Sequence, residues 1–304
     1  MTTAGAGEVR YARHGDVRIA FEDLGGAGGE PLLLVMGLAV SRFWWPEALV
    51  AELVRHGFHV AAYDQRDAGQ SSHFPDAGQA SPLAAVLRRS STAYTAEDMT
   101  DDAVAVLDAL GWESAHLFGH SMGGQMAQRI AVRHPGRVRS IASSASLPGD
   151  VGGLAAGRYV RMGTVARLAR MKFPEGREGD IELAVAVSQA VASPGYPADE
   201  AAVRRAAGRD EVSGARDTAA QSRQAGAKWH GGPMSQIRVP ALVLHGSDDP
   251  LLRPAAARRT AARISGARLV ILPRVGHYLP EAVYPQVAGE VRALADRAGA
   301  VAAR

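Results

Sequence analysis

Three residues far apart in the chain could together perform nucleophilic catalysis. They are a serine in Gly119-His120-Ser121-Met122-Gly123, an aspartate in Ser247-Asp248-Asp249-Pro250 and a histidine in Val275-Gly276-His277. A serine hydroxyl is a weak nucleophile at neutral pH. It needs a base within hydrogen-bond reach, and the base needs a carboxylate to fix its tautomer. The chemistry would be attack on a carbonyl, with Ser121 as nucleophile and His277 as base. The acid is Asp248 or Asp249, since only one of two neighbours can face His277. A residue before proline is driven toward extended geometry, which singles out Asp249 and leaves Asp248 to cap the following turn. His120 adjoins the nucleophile but points elsewhere, and His56, His59, His134 and His230 read as surface or packing residues.

The order strand, G-x-S-x-G, helix is what a nucleophile elbow requires. Ala115-His116-Leu117-Phe118 reads as the strand, and a helix opens at Met122. The turn is tight and its central residue strained, so Gly119 and Gly123 keep its flanks small. The tetrahedral intermediate needs two backbone amides for its oxyanion. One is Met122, following the nucleophile. The second is Leu38, in the loop after the apolar run Pro31–Met36, where Gly37 lets the backbone approach closely.

The elements that must position these residues alternate. Val9–His14 and Val17–Asp23 form a hairpin turned at Gly15. Buried strands are expected at Pro31–Met36, His59–Tyr63, Ala115–Phe118 and Val138–Ser144. Helices are expected over Pro46–His56, from a Thr95 cap to Gly111, and from Met122 to Pro135. The segment Ser72–Ala93 reads as loop with a short helix. Strands alternating with helices imply an α/β fold, a mostly parallel, doubly wound sheet with helices on both faces. The alternation breaks from Leu147 to Gly232, where helical pieces rich in Ala, Arg and Gly carry no convincing strand. It resumes with a strand over Val239–His245, a helix over Pro254–Ile264, a strand at Arg268–Leu272 and a helix from Pro285. The tail Gly299–Arg304 is expected to fray. The chain therefore divides into core residues 1–146, an insertion at 147–233 and core residues 234–304. Asp249 and His277 both follow strand C-terminal ends, on the edge where open parallel sheets bind ligands.

Composition excludes several functions. The chain of 304 residues has no Cys, so thiol catalysis and Cys-ligated zinc are ruled out. Its net charge is +3 with almost all cations Arg, and no basic stripe interleaved with aromatics marks a nucleic-acid partner. The N-terminal residues lack the pattern of a signal peptide, which points to a cytoplasmic location. The longest apolar run, Pro31–Val40, falls far short of the ~20 residues of a membrane span, so no membrane association is expected.

Together, Met36-Gly37, Trp44-Trp45, Tyr63-Asp64-Gln65-Arg66-Asp67-Ala68-Gly69-Gln70-Ser71, the elbow, Asp249-Pro250 and Gly276-His277 resemble the α/β-hydrolase fold superfamily. The resemblance covers almost the whole chain outside the insertion. Leu34-Val35-Met36-Gly37 with Tyr63–Asp67 is most similar to the aclacinomycin methylesterase branch, whose members act on polyketide antibiotics. The resemblance supports Asp249 as acid and Leu38 as oxyanion donor, although that branch carries Gly at the position of Leu38. It implies that the insertion is a helical cap. It also implies a cofactor-free, metal-free serine esterase acting on a small hydrophobic substrate, as a monomer or homodimer. Met36, Gly37, His120 and Trp44 are expected at the substrate pocket. Met162, Met171, Phe173 and Trp229 of the insertion, with Met234 just after it, are also expected there, against a plain packing role for each. Arg66 is expected to make a structural ion pair with Asp64 or Asp67. Epoxide hydrolysis and dehalogenation are disfavoured, because relatives with those activities carry Asp where Ser121 stands. Acyl transfer, C–C bond cleavage and a triad-bearing small-molecule receptor remain open on the same residues.

Overall fold

A computed structural model describes residues 8–75, 93–210, 214 and 216–302. Eight strands form one sheet: β1 (Arg10–His14), β2 (Val17–Gly25), β3 (Glu30–Val35), β4 (Phe58–Tyr63), β5 (Ala115–His120), β6 (Val138–Ser144), β7 (Ala241–Gly246) and β8 (Arg268–Leu272). Their spatial order is β1-β2-β4-β3-β5-β6-β7-β8. The first two pairings, β1 with β2 and β2 with β4, are antiparallel, and the rest are parallel.

β3 lies at the centre, between β4 and β5. Its last residue, Val35, is level with Tyr63 on one side and Gly119 on the other. The loops after β3, β4 and β5 therefore leave the sheet side by side. Alternation along β3 assigns its side chains to two cores. Leu33 and Val35 face the layer of α2 (Ala96–Leu110) and α3 (Met122–Arg133), with Met99, Val106, Met126 and Ile130. Leu32 and Leu34 face α1 (Glu47–Arg55) and α9 (Tyr284–Ala302), with Leu49, Leu53, Val287, Val291 and Leu294. All of these side chains are essentially excluded from water, and their burial is the main stabilising term of the fold.

Local signals set the element ends. Thr95 and Asp98 form a reciprocal capping box at the start of α2, and Gly111 ends it in the left-handed region at φ 73°. α9 continues to Ala302, beyond the Gly299 at which the sequence suggests fraying. Most of the expected loop Ser72–Ala93, residues 76–92, lies outside the described residues.

Between β6 and β7 run α4 (Met162–Ala169), α5 (Arg177–Val191), α6 (Glu200–Arg209) and α7 (Thr218–Gly226). The strand-like pairings described there are isolated bridges, Val160 with Leu252 and Ser193 with Tyr196. The first bridge joins this segment to the loop after β7. After β7 come α8 (Ala255–Arg263), β8 and α9. No described helix is long and apolar enough to cross a membrane.

Candidate active site

Ser121 sits between β5 and α3 with φ 56° and ψ −123°. A non-glycine residue held in that region is strained, and the surroundings enforce it. A Cβ on Gly119 would stand 2.1 Å from the Gly123 carbonyl oxygen, and one on Gly123 would stand 1.9 Å from that of Val35. Both flanks must therefore be glycine for the turn to close against the end of β3. The Ser121 amide donates to the Ser144 carbonyl at 2.8 Å, tying the turn to β6.

His277 Nε2 lies 3.0 Å from Ser121 Oγ, and its Nδ1 lies 2.9 Å from Asp249 Oδ2. Asp249 is fully buried, and its Oδ1 accepts the Leu251 and Leu252 amides at 2.8 Å each. Burial pushes the Asp249 carboxyl up, but the His277 imidazole and the Leu252 amide outweigh it and hold the pKa below the ordinary value. Asp249 is thus placed as a carboxylate. Asp248 faces outward and accepts from the Ser247 hydroxyl at 2.8 Å. The turn cap expected of Asp248 is made by Asp249 itself, with the oxygen that His277 does not use. The His277 and Tyr278 amides both donate to the Val191 carbonyl at the end of α5. A Cβ on Gly276 would stand 2.6 Å from the Ser193 nitrogen, so the histidine loop lies directly against the segment inserted between β6 and β7.

The loop after β3 is fixed from both sides. Gln65 Nε2 donates to the Met36 carbonyl, and the Ala39 amide donates to Gln224 Oε1 on α7, each at 2.7 Å. Leu38 and Met122 border, with Ser121, a cavity of about 200 Å³. Its floor is one face of α3: Met122, Gln125, Met126 and Arg129, spaced at i, i+3, i+4 and i+7. Its walls include Leu147, Val151, Val160 and Leu252. Trp229 closes one side, with the Arg129 guanidinium 5.5 Å from its ring centre.

The other pocket nominees lie outside this cavity. Met36 is buried in the α1 and α9 core, and Gly37 presses on the back of Ser121. The His120 ring centre is 5.2 Å from that of His277, and its Nδ1 is 3.3 Å from Ser144 Oγ. Burial and the neighbouring His277 hold its pKa down to about 3, so it is neutral there. Trp44 donates its indole N–H to Asp210 at 2.6 Å. Met162 is exposed, Met171 follows the end of α4, and Phe173 is held near Arg216 through its carbonyl. Met234 is fully buried in the core. Residue type nominated these side chains, whereas the helical spacing after Ser121 was the signal that could have found Gln125 and Arg129.

The expected ion pair of Arg66 with Asp64 or Asp67 is not formed. Arg66 grips Asp102 of α2 with Nε and Nη2, at 2.6 and 2.7 Å. Asp64 binds Arg42, and Asp67 binds Arg223 of α7 through two bonds of 2.8 Å. The carboxylates turn away from their sequence neighbour toward cations supplied by other elements.

Comparison with known proteins agrees with this architecture. A family model described as the alpha/beta hydrolase fold matches residues 30–281. Rhodomycin D methylesterase DauP of Streptomyces sp. (strain C5) is 28% identical, over 93% of this chain and 96% of its own length. Rhodomycin D methylesterase DnrP of Streptomyces peucetius is 29% identical over the same shares. Among solved structures, esterase RhEst1 from Rhodococcus sp. ECU1013 superposes with a TM-score of 0.71 at 23% identity, covering 95% of this chain and 98% of that one.

Proposed function

Because the chain belongs to the alpha/beta hydrolase fold family, we propose that it is a serine hydrolase of carboxylic esters, with a methyl ester or lactone of a hydrophobic natural product as substrate class. The observation that carries the reading is the continuous relay from Ser121 Oγ through His277 to the buried Asp249 carboxylate. The similarity to two methylesterases over nearly the full length supports the substrate class.

In this mechanism His277 Nε2 takes the Ser121 proton as Oγ attacks the carbonyl carbon. Asp249 holds the Nδ1–H tautomer and stabilises the imidazolium. The amides of Leu38 and Met122 receive the oxyanion, aided by the N-terminal end of α3. His277 then gives its proton to the leaving alkoxide, and the acyl group remains on Ser121. Water, activated by the same histidine, releases the acid and restores the serine. The helices between β6 and β7 serve as a cap over the sheet edge. The apolar cavity on α3 receives the hydrophobic part of the substrate.

The test is intact-mass measurement after exposure to a fluorophosphonate, for wild type and Ser121→Ala, followed by hydrolysis of hydrophobic methyl esters. One adduct on the wild type, none on the variant and loss of turnover in the variant are expected. A variant that keeps ester hydrolysis within about tenfold would overturn the assignment, since loss of a triad nucleophile costs orders of magnitude.

A further inference from the structure

Asp249 is held by more than its catalytic partner. His245, near the end of β7 and four residues before the acid, is buried with its side chain wholly excluded from water. Its Nε2 lies 3.3 Å from the Leu252 carbonyl oxygen and 3.4 Å from Asp249 Oδ2. Its Nδ1 has no hydrogen-bond partner among the described residues. A buried neutral imidazole carries one proton, and here only Nε2 faces acceptors, so that nitrogen bears it. Burial keeps the ring neutral by holding its pKa below the ordinary histidine value.

The bond to Leu252 matters because the same residue's amide donates to Asp249 Oδ1 at 2.8 Å. One ring therefore touches the acid's neighbourhood twice: at the carboxylate oxygen that faces His277, and at the peptide whose amide fixes the other oxygen. We propose that His245 is a positioning residue for the triad acid, bracing the Asp249–Leu252 turn so that Oδ2 stays aimed at His277 Nδ1. This role rests on the esterase reading above. Packing alone would be served by any side chain of similar shape. The bracing needs an N–H at the place of Nε2.

Two substitutions separate those roles. His245→Phe keeps the ring's volume and removes the donor. His245→Gln places an amide N–H where Nε2 stood. On a soluble ester, His245→Phe is expected to lower kcat about tenfold with KM unchanged, the scale of one lost hydrogen bond beside a charged group. His245→Gln should recover most of that loss. In an Asp249→Asn background, His245→Phe should cost less than about twofold, because a residue acting through the acid has nothing left to position. An equal loss in both backgrounds, a raised KM, or a Gln variant no better than Phe would overturn the proposal. If His245→Phe fails to fold, His245→Asn replaces it: its amide falls at the place of Nδ1, so it should behave as the donor-free variant. An Asp249→Asn enzyme as active as wild type would instead count against the esterase mechanism itself.

Discussion

Gly37 lies so close to Ser121 that a Cβ built on it would stand 3.2 Å from the serine Cβ and 3.7 Å from Oγ. The backbone after β3 is pressed against Ser121, and the next residue, Leu38, borders the cavity beside it. Gly37→Ala would push one of the two by a few tenths of an ångström. Small displacements of reacting groups are costly in rate. We expect kcat/KM to fall about tenfold with the melting temperature barely changed, read by steady-state ester hydrolysis beside a thermal melt.

The adjacent aspartates should respond in opposite ways. Asp249→Asn removes the charge facing His277 and favours the wrong tautomer, so kcat should fall about 10⁴-fold, as for triad acids elsewhere. Asp248→Asn disturbs one exposed contact with Ser247, and its kcat should stay within about twofold of wild type. Equal losses in the two variants would mean that the acid's role is shared.

Arg223 and Asp67 join α7 to the loop after β4 with both side chains buried. Tyr94 donates a further hydrogen bond to Asp67 at 2.7 Å. Removing Arg223 leaves the Asp67 carboxylate in a dry site with only neutral donors, the Tyr94 hydroxyl and the Phe74 amide. Arg223→Met should destabilise the protein by about 3 kcal/mol in urea unfolding, and adding Asp67→Asn should return part of that loss. A fully additive double variant would show that the pair is uncoupled.

Asp210, just past the end of α6, gives a pH signature. Burial pushes its pKa up to about 6, against the Ser41 and Trp44 hydrogen bonds that favour the charged form. The folded protein thus binds this proton more tightly than the unfolded chain does. Its stabilising contribution is complete below the unfolded carboxyl value and is lost as pH rises through about 6. Asp210→Asn mimics the protonated form. The variant should be more stable than wild type by about 1–2 kcal/mol at pH 8, with most of the difference gone at pH 4. Thermal melts at the two pH values check it.

The sheet, the elbow and the identity of the triad candidates were legible because each follows from local rules. Gly119 and Gly123 announce the strained turn, Thr95 and Gly111 bound α2, and unbroken apolar runs mark the buried strands. Partners set by tertiary contact were not legible. Arg66 has carboxylates at positions 64 and 67 on either side of it in sequence, yet it pairs with Asp102. Asp67 adopts φ 64° and turns its carboxylate to Arg223 on an inserted helix. Trp229, expected at the pocket, lines the cavity, whereas Trp44, of the same type and equally expected there, is consumed by a bond to Asp210. Composition cannot distinguish two such tryptophans; only the surrounding backbone can. His245 carried no signal, because its significance lies in which face of the turn after β7 it meets.

The packing of α9 beside α1 under Leu32 and Leu34 has a bearing on biosynthesis. Chains are made from the N-terminus and domains fold as units, so β3 and α1 leave the ribosome long before Val287, Val291 and Leu294 exist to cover them. Such widely separated contacts also fold slowly. His277, which the fold brings to 3.0 Å from Ser121, is likewise translated only shortly before α9. Until then the nascent chain exposes the apolar flank that α9 covers in the folded protein, and the contact between Ser121 and His277 does not yet exist.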